Sequence, residues 1–303
     1  MAANAATIEA RISASRGRTH TPLAKWLIVP ALLLFTLFFV LPFGAMGILS
    51  LLSGHPMNPP PVQLTLRHYQ RFIGDDLYLA ALWETLRIGV ITSLIALLVG
   101  YPLAHLLARV RSRIGHAALL MAVIAPMLTG IVVRTFAWVT LLQDSGVINT
   151  TLLGLGMIEK PLKLMYNEFG TIVALIHIYV PFMVLTLAGV IGRIDERLEE
   201  AARGLGATRW QTFREVTLPL SLPGILAGSL LVFALSISAY VTPFLMGGTD
   251  VLTMPMLIYQ QVSASFNPNF AGALGVILLV VSLLVVVAYN RVLASLAREE
   301  SLP

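Results

Sequence analysis

The sequence lacks cysteine and has few charged residues. None of its 303 residues is cysteine, which excludes disulfides, thiol chemistry and cysteine-based metal sites. Charged residues make up 12% of the chain and hydrophobic residues 57%, whereas about a quarter of a soluble domain is charged. Uncharged runs of about twenty residues, long enough to cross a bilayer as a helix, recur along the chain. We therefore predict a polytopic membrane protein.

The sequence also lacks motifs for catalysis or nucleotide binding. It contains no G-x-x-x-x-G-K-[S/T] phosphate loop, no H-E-x-x-H and no close pair of carboxylates of the kind that marks an enzyme active site. Gly204-Leu205-Gly206 begins like a dinucleotide fingerprint, but Arg209 stands where the third glycine belongs. The net charge of +5 comes from basic residues between the apolar runs, so it does not indicate nucleic acid. We predict no catalytic residue, no metal site and no cofactor bound by this chain.

Six apolar segments predict an all-α fold with six transmembrane helices. They cover residues 26–52, 82–108, 117–142, 169–192, 222–246 and 270–289. The first is too long and too uniformly apolar for a cleaved leader. The predicted organisation is a tail (1–25), a first helix (26–52), an external loop (53–81) with a short helix from Thr65 to Phe72, a five-helix core (82–292) and a second tail (293–303).

The lysine and arginine residues predict the orientation in the membrane. If the N-terminus lies inside, the inner segments carry 14 of the 20 basic residues. Loops that remain in the cytoplasm are enriched in lysine and arginine. Both termini and the polar segment 193–221 are therefore predicted to be cytoplasmic.

Segment 193–221 is a polar island between two apolar runs, and its pattern predicts two short helices. Asp195 can cap the first helix, and Gly204 and Gly206 suit its end. Thr208 can cap the second helix, which is expected to end before Pro219. One apolar face of the first helix is predicted from helical spacing; it comprises Ile194, Leu198, Ala201, Ala202 and Leu205.

The charges of this segment are balanced. Five arginines are offset by five acidic residues between 193 and 215, whereas a helix that lies on anionic lipid is strongly basic. An apolar stripe with charges of both signs suits a groove on another protein. The alternative is a solvated loop with ordinary i,i+4 ion pairs.

A resemblance to a known family favours the first interpretation. Glu200-Ala201-Ala202, Gly206 and Leu218-Pro219 resemble the EAA loop of ABC importer permeases in composition, spacing and position, with Val216 where that family usually has isoleucine. The resemblance implies the type I ABC importer permease fold. It also implies that these six residues form a coupling helix, which sits in a cleft of a cytoplasmic ATPase.

Further motifs resemble permeases of the spermidine/putrescine type. These motifs are Gly100-Tyr101-Pro102-Leu103-Ala104, Val133-Arg134-Thr135-Phe136-Ala137-Trp138, Pro181-Phe182-Met183 and Tyr240-Val241-Thr242-Pro243. Together with the EAA loop they extend the resemblance over about residues 64–273.

The interior of the six segments contains no aspartate or glutamate. Glu84 precedes Arg109 by 25 residues, about 37 Å along a helix, which places it at the outer surface. Proton-coupled carriers need buried carboxylates, so this lack argues against an ATP-independent carrier or channel. It suits a passive pathway that a separate ATPase drives.

Prolines and nearby polar side chains predict where that pathway runs. Pro181 and Pro243 cannot donate to the carbonyls of His177 and Ala239, and in a membrane such carbonyls need another partner. The candidate pathway residues beside these prolines are His177, Tyr179, Ser236, Ser238 and Tyr240. Aromatic faces could hold an ammonium ion. The alternative is that these side chains serve helix packing.

Arg134 is the most conspicuous charge within a predicted span. It lies 17 residues beyond Ala117, about 26 Å into a hydrocarbon core of about 30 Å. From there a long side chain can reach the outer headgroups or an acidic partner. We predict that Arg134 and Trp138 act as an outer gate or anchor.

The resemblance implies one transmembrane subunit of an ATP-driven importer that works by alternating access in a bacterial inner membrane. Its implied partners are a second permease, two cytoplasmic ATPase subunits that bind the ATP, and a solute-binding protein outside. A polyamine is the expected substrate. The alternatives are another small solute, amino-acid-derived or phosphonate-like, or an ATP-independent carrier or channel. A membrane-embedded enzyme lacks any catalytic constellation in the sequence.

Overall fold

The computed structural model describes residues 22–53 and 63–299, and the side chains of 29–53 and 63–291. The predictions for the N-terminal tail up to residue 21, for the proline-rich stretch 54–62 and for residues 300–303 lie outside this range. Within the described residues the chain is helical, apart from connecting loops and one antiparallel bridge between Leu52 and Leu64. The predicted all-α fold is confirmed.

The described residues form helices that we label α1 to α13 in chain order. They are α1 (Pro22–Phe35, a π-helical turn at Thr36–Val40, and Leu41–Ser50), α2 (Arg67–Ile73), α3 (Asp76–Arg109), α4 (Arg113–Ile124, followed by a 3-10 turn at Ala125–Leu128), α5 (Ile131–Leu142), α6 (Val147–Gly154), α7 (Glu168–Ile191), α8 (Glu196–Gly204), α9 (Arg209–Thr212, followed by a π-helical turn at Phe213–Thr217), α10 (Leu218–Ile237), α11 (Val241–Met246), α12 (Met254–Ser263) and α13 (Pro268–Glu299).

Within the described residues, six apolar helical segments are long enough to cross a membrane, as predicted. They are Val29–Ser50, Asp76–Arg109, Ile131–Gly154, Glu168–Ile191, Arg209–Ile237 and Pro268–Arg291. A shorter apolar segment, Arg113–Leu128, precedes the third. The predicted helix between Thr65 and Phe72 corresponds to α2.

Three long helices, α3, α7 and α10, pack against one another and form the main core. Small residues allow this close approach. A Cβ atom added at Gly89 would lie 2.6 Å from Cγ2 of Ile237, and one at Gly228 would lie 2.7 Å from Sδ of Met183. The core therefore depends on glycine at the crossings of α3 and α7 with α10.

A second cluster joins α2 and α3 to α12 and α13. Phe270 lies at the centre of this cluster. The ring of Tyr78 meets the Phe270 ring edge-on at 5.0 Å, and the guanidinium of Arg71 lies 4.6 Å from the centre of the Phe270 ring. The hydroxyl of Thr85 accepts a hydrogen bond from the backbone N–H of Met254 at 2.8 Å, which ties the start of α12 to α3. Helix α1 packs along α13 beside this cluster.

The third span differs from the prediction of one continuous helix over 117–142. The chain leaves helical geometry between α4 and α5, where Thr129 and Gly130 are both extended. Pro126 lies in the 3-10 turn just before the break, and it lacks the backbone N–H that a continuous helix would use there. Hydropathy is continuous through this break, so the apolar pattern does not reveal it.

The fifth span differs as well. Helix α10 ends at Ile237, short of the predicted 246, and α11 is a separate short helix. Pro243 lies in the first turn of α11, where a proline sacrifices no intrahelical bond. The expectation that Pro243 frees the carbonyl of Ala239 within a continuous helix is therefore wrong. Pro181, in contrast, lies inside α7 as predicted.

Candidate functional site

The loop between α7 and α10 begins with the caps that its sequence predicts. The side chain of Asp195 accepts a hydrogen bond from the backbone N–H of Arg197 at 3.0 Å and caps α8. Thr208 and Gln211 form a reciprocal capping box at the start of α9. Between them Gly206 has a φ of +95°, which an L-residue adopts only with strain. Local side chains thus fix the corner between the two loop helices.

The expected stop before Pro219 is absent. Helix α9 passes through the π-helical turn directly into α10, with Pro219 in the first turn of α10. In the π-helical turn each backbone N–H bonds to the carbonyl five residues earlier. This irregularity lets the helix continue although Pro219 has no backbone N–H to donate. The second loop helix and the fifth span are consequently one continuous rod.

The two faces of α8 differ sharply in exposure. Leu198 is 49% exposed and Leu205 is 91% exposed, and Trp210 on α9 lies 67% open on the same loop. Ile194 is buried and precedes α8, so the predicted apolar face does not include it. These exposed apolar side chains lie at the surface, among the charged residues of the loop.

The predicted coupling residues lie on and around this surface. Glu200, Ala201 and Gly206 are exposed, and Ala202 is half-buried. A Cβ atom added at Gly206 would meet no atom within 4 Å. Leu218 and Pro219 are half-buried in the first turn of α10. The six residues therefore span the outward corner of the loop and its junction with the membrane helix.

A network of ion pairs holds the inner face of α8 to the end of α3. The guanidinium of Arg109 lies 2.6 Å from Oε1 of Glu199 and donates to the carbonyl of Ile194 at 3.1 Å. Arg203 contacts the other oxygen of Glu199 at 3.3 Å. Glu199 is 7% exposed, and its two arginine partners compensate the burial of its charge. The sequence alone does not reveal this pair, because Arg109 and Glu199 lie 90 residues apart.

A second pair lies at the surface beside it. Arg111 donates to Glu196 at 2.9 Å, and both side chains are open to solvent. This hydrogen bond lowers the pKa of the Glu196 carboxyl below its ordinary value and raises the pKa of Arg111. Exposed pairs of this kind contribute little to stability. The two pairs therefore provide a buried and a solvated contact between the same segments.

Arg134 occupies a different place from the one predicted. Its side chain is 9% exposed, and Nη1 donates to the carbonyl of Ile178 on α7 at 3.3 Å. Because the chain breaks before α5, Arg134 does not lie on one straight helix that begins at Ala117, and its predicted depth does not hold. The expected reach to the outer headgroups is wrong, because the guanidinium is turned into the protein.

Around Arg134 the structure gathers several polar groups beside Pro181. Tyr179 is buried next to the guanidinium. The ring of His177 meets Trp138 edge-on at 5.6 Å. Within the described part of the chain, Nε of Arg134 and Nδ1 of His177 are buried without a hydrogen-bond partner, and no carboxylate pairs with Arg134. A buried cation lacking a counter-charge is unusual in a membrane, so Arg134 is a candidate functional residue.

The remaining pathway candidates surround the gap between α10 and α11. Ser236 is buried and bonds back to the carbonyl of Val232, while Ser238 is exposed and bonds back to Ala234. The ring of Tyr240 stacks on that of Phe244 at 5.4 Å and contacts that of Tyr259 at 4.5 Å. The structure thus brings Tyr240 into an aromatic cluster that the sequence did not predict. Two residues further on, Thr242 lies 3.1 Å from the hydroxyl of Thr135, the neighbour of Arg134.

The membrane side of the loop contains unfilled apolar space. A cavity of about 500 Å³ is lined mainly by Leu98, Tyr101, Trp210, Phe213 and Ile225. In the described residues no group of three histidines, aspartates or glutamates is placed to hold a metal ion. The loop therefore has a charged contact to the end of α3 and, beside the apolar space, an aromatic contact between Phe213 and Tyr101.

The core helices and the loop match a known protein family. Residues 88–298 match the family model described as the binding-protein-dependent transport system inner membrane component. The chain belongs to this family. It is accordingly a multi-pass inner-membrane transport permease, and its family works with an ATPase and a solute-binding protein.

Curated relatives agree with this membership. The permease is 32% identical over 256 residues to the spermidine/putrescine transport system permease protein PotB of Haemophilus influenzae, covering 84% of this chain and 89% of that protein. It is 26% identical over 274 residues to a putative 2-aminoethylphosphonate transport system permease protein, PhnU, of Salmonella typhimurium, covering 85% and 88%. Both matches extend over most of each chain.

A solved structure shares the fold of this permease. It belongs to a bacterial alginate ABC transporter in complex with an alginate pentasaccharide-bound periplasmic protein. The TM-score is 0.74 at 20% identity, over 91% of this chain and 95% of the other. At this identity the likeness establishes the fold, which is that of an ABC importer permease.

Proposed function

We propose that this permease is one of two membrane subunits of an ATP-driven importer and that it carries a polyamine such as spermidine or putrescine. The observation that carries the proposal is the outward face of α8, where Leu198 and Leu205 stand exposed beside Gly206. Such a face needs a protein partner. The substrate class rests on the polyamine permease relative and on the motifs shared with that type.

The ATPase is proposed to dock on the corner of the loop. Ala201, Ala202 and Gly206 leave room for a close approach, and Glu200 supplies an exposed charge at the rim. Leu218 and Pro219 begin α10, so a displacement of the loop corner by the ATPase also displaces the fifth span. The ATP is bound by the partner subunits, and the spans reorient by alternating access.

The orientation and the partners complete the proposal. Both termini and the loop lie in the cytoplasm, as the concentration of lysine and arginine on one side supports. The second permease is a paralogue, and a solute-binding protein delivers the substrate from outside. His177, Tyr179, Ser236, Ser238 and Tyr240 line or border the pathway, and Arg134 with Trp138 gates it.

Reconstitution tests this proposal directly. The permease, its paralogue, the ATPase and the binding protein are placed in proteoliposomes, and uptake of labelled spermidine and putrescine is measured with and without ATP. Uptake that requires ATP and the binding protein is expected. Uptake that proceeds without ATP would instead identify an ATP-independent carrier or channel.

Arg134 favours one second candidate, a phosphonate-like or other anionic solute. Its buried guanidinium has no acidic partner among the described residues, and it would repel a cationic polyamine but attract a phosphonate. The 26% identical relative has such a substrate in its name.

The same proteoliposomes distinguish the two substrates. If polyamine is carried, 2-aminoethylphosphonate does not compete with spermidine, and Arg134→Lys resembles the native permease. Uptake of 2-aminoethylphosphonate that Arg134→Gln abolishes would make the second candidate correct.

A further inference from the structure

The loop helix α8 is attached to more than its two neighbours in the chain. Covalently it continues from α7 and leads to α9 and α10. Arg109, the last residue of α3, adds a third attachment across 90 residues of sequence through its bond to Glu199. Helix α3 is 34 residues long and packs along both α7 and α10. The end of the longest core helix is thus fastened to the loop.

The fastening is buried, whereas the leucines on and just after α8 are exposed. Glu199 is 7% exposed, whereas Leu205 is 91% exposed. Arg109 holds the N-terminal part of α8 at two points, since one guanidinium nitrogen bonds the Glu199 carboxylate and the other bonds the carbonyl of Ile194, just before the helix. A displacement of the outer face therefore reaches Arg109 through a buried, directional contact.

Two further contacts join α3 to the chain that follows α8: the hydroxyl of Tyr101 lies 2.8 Å from Oγ of Ser221, and its ring meets that of Phe213 edge-on at 5.5 Å. An apolar groove of about 500 Å³ opens beside them. The neighbouring pair of Arg111 and Glu196 is open to water and is screened. The pair of Arg109 with Glu199 is consequently the buried ionic contact between α3 and α8 itself.

We propose that Arg109 and Glu199 form the link through which the loop moves α3 when the ATPase closes. This inference rests on the proposed function of the loop and adds a positioning pair outside its resemblance motif. Arg109 touches neither substrate nor ATP. Its role is to make α3 move with α8. Helices α7 and α10 move with α8 because the backbone connects them to the loop.

The test compares variants in the reconstituted importer. Assembly, basal ATPase activity and its stimulation by spermidine-loaded binding protein are measured for Arg109→Gln, Glu199→Gln and the double variant. Arg111→Gln, which removes the exposed pair, is the matched control. We expect each of the first three to assemble and to lose about tenfold in stimulation, with no further loss in the double variant. Arg111→Gln should keep the native stimulation.

A reversible tether keeps the test decisive if the buried variants assemble poorly. Because the chain has no cysteine, Arg109→Cys with Glu199→Cys can be joined by a bifunctional thiol reagent in an importer with cysteine-free partners. Stimulation should rise when the tether forms and fall again on reduction, in one and the same sample. A structural role in folding alone would leave it unchanged.

Two results would overturn the inference. One is native stimulation in assembled Arg109→Gln, and the other is a tether without effect. Gly206→Leu, assayed in parallel, distinguishes a failure of the proposed Arg109–Glu199 link from a failure of the proposed function of the loop. If Gly206→Leu uncouples and Arg109→Gln does not, the link is wrong. If neither uncouples, the assignment of the loop is wrong as well.

Discussion

Gly206 offers the sharpest perturbation of the loop, because two separate effects of a side chain there can be measured apart. With a φ of +95°, any L-residue carries backbone strain of about 1–3 kcal/mol. A Cβ atom at this position would meet no atom of the chain within 4 Å. A larger side chain at this position therefore clashes with no atom of the permease itself, and only a docked partner would contact it.

Three substitutions resolve the two effects. Gly206→Ala adds the strain, and Gly206→Leu adds the same strain together with bulk at the proposed contact. Gly204→Ala is the control, since Gly204 is also open to solvent but lies within α8 at ordinary φ. There alanine should favour the helix by up to about 1 kcal/mol.

The assay pairs thermal unfolding of the purified permease with ATP-dependent uptake in proteoliposomes. We expect Gly206→Ala and Gly206→Leu to unfold at the same temperature, and uptake to be lower in the leucine variant by about tenfold, which is about 1.4 kcal/mol of coupling. Gly204→Ala should behave like the native chain or slightly better. Equal uptake in the two Gly206 variants would refute the reasoning, because bulk at the corner would then meet no partner.

Three further predictions concern the topology, the core and the charge of the loop. Reporters fused at Gly115 and Gly204 should report the cytoplasm and those at Gly156 and Gly248 the outside; an external signal at Gly204 would contradict the orientation. Gly89→Val should destabilise the permease by about 1–3 kcal/mol, because its Cβ would lie 2.6 Å from Ile237. Gly189→Val, which meets nothing within 4 Å, should cost less, and equal unfolding temperatures would show that the crossing of α3 with α10 is not tightly packed. Glu200→Lys should lower uptake without lowering the unfolding temperature, because Glu200 is exposed; a matching loss of stability would point to a fold defect instead.

The features of the loop that local chemistry controls were predictable from the sequence. Asp195 and Thr208 cap helices because their oxygens accept from nearby backbone N–H groups, and Gly206 stands where φ is positive. The number of spans followed from hydropathy. Each of these signals is contained within a short stretch of chain, so no tertiary contact was needed to read it.

The features that depend on tertiary contacts were not predictable. Glu199 is one of five acidic residues in the loop, and only the folded chain brings it to Arg109, 90 positions away. The breaks before α5 and after α10 leave hydropathy unchanged, so apolar runs alone gave continuous helices. The depth assigned to Arg134 failed for the same reason, because a count along the chain equals a distance only in a straight helix.

The most direct test of the account is whether the outward face of α8 touches the ATPase. Leu205→Cys places a single thiol at a position that is 91% exposed in a chain without cysteine. In assembled importer with one cysteine in the ATPase cleft, we expect a cross-linked species of permease and ATPase. An importer that transports normally but never cross-links at Leu205, while its thiol reacts freely with soluble maleimide, would contradict the assignment of this loop.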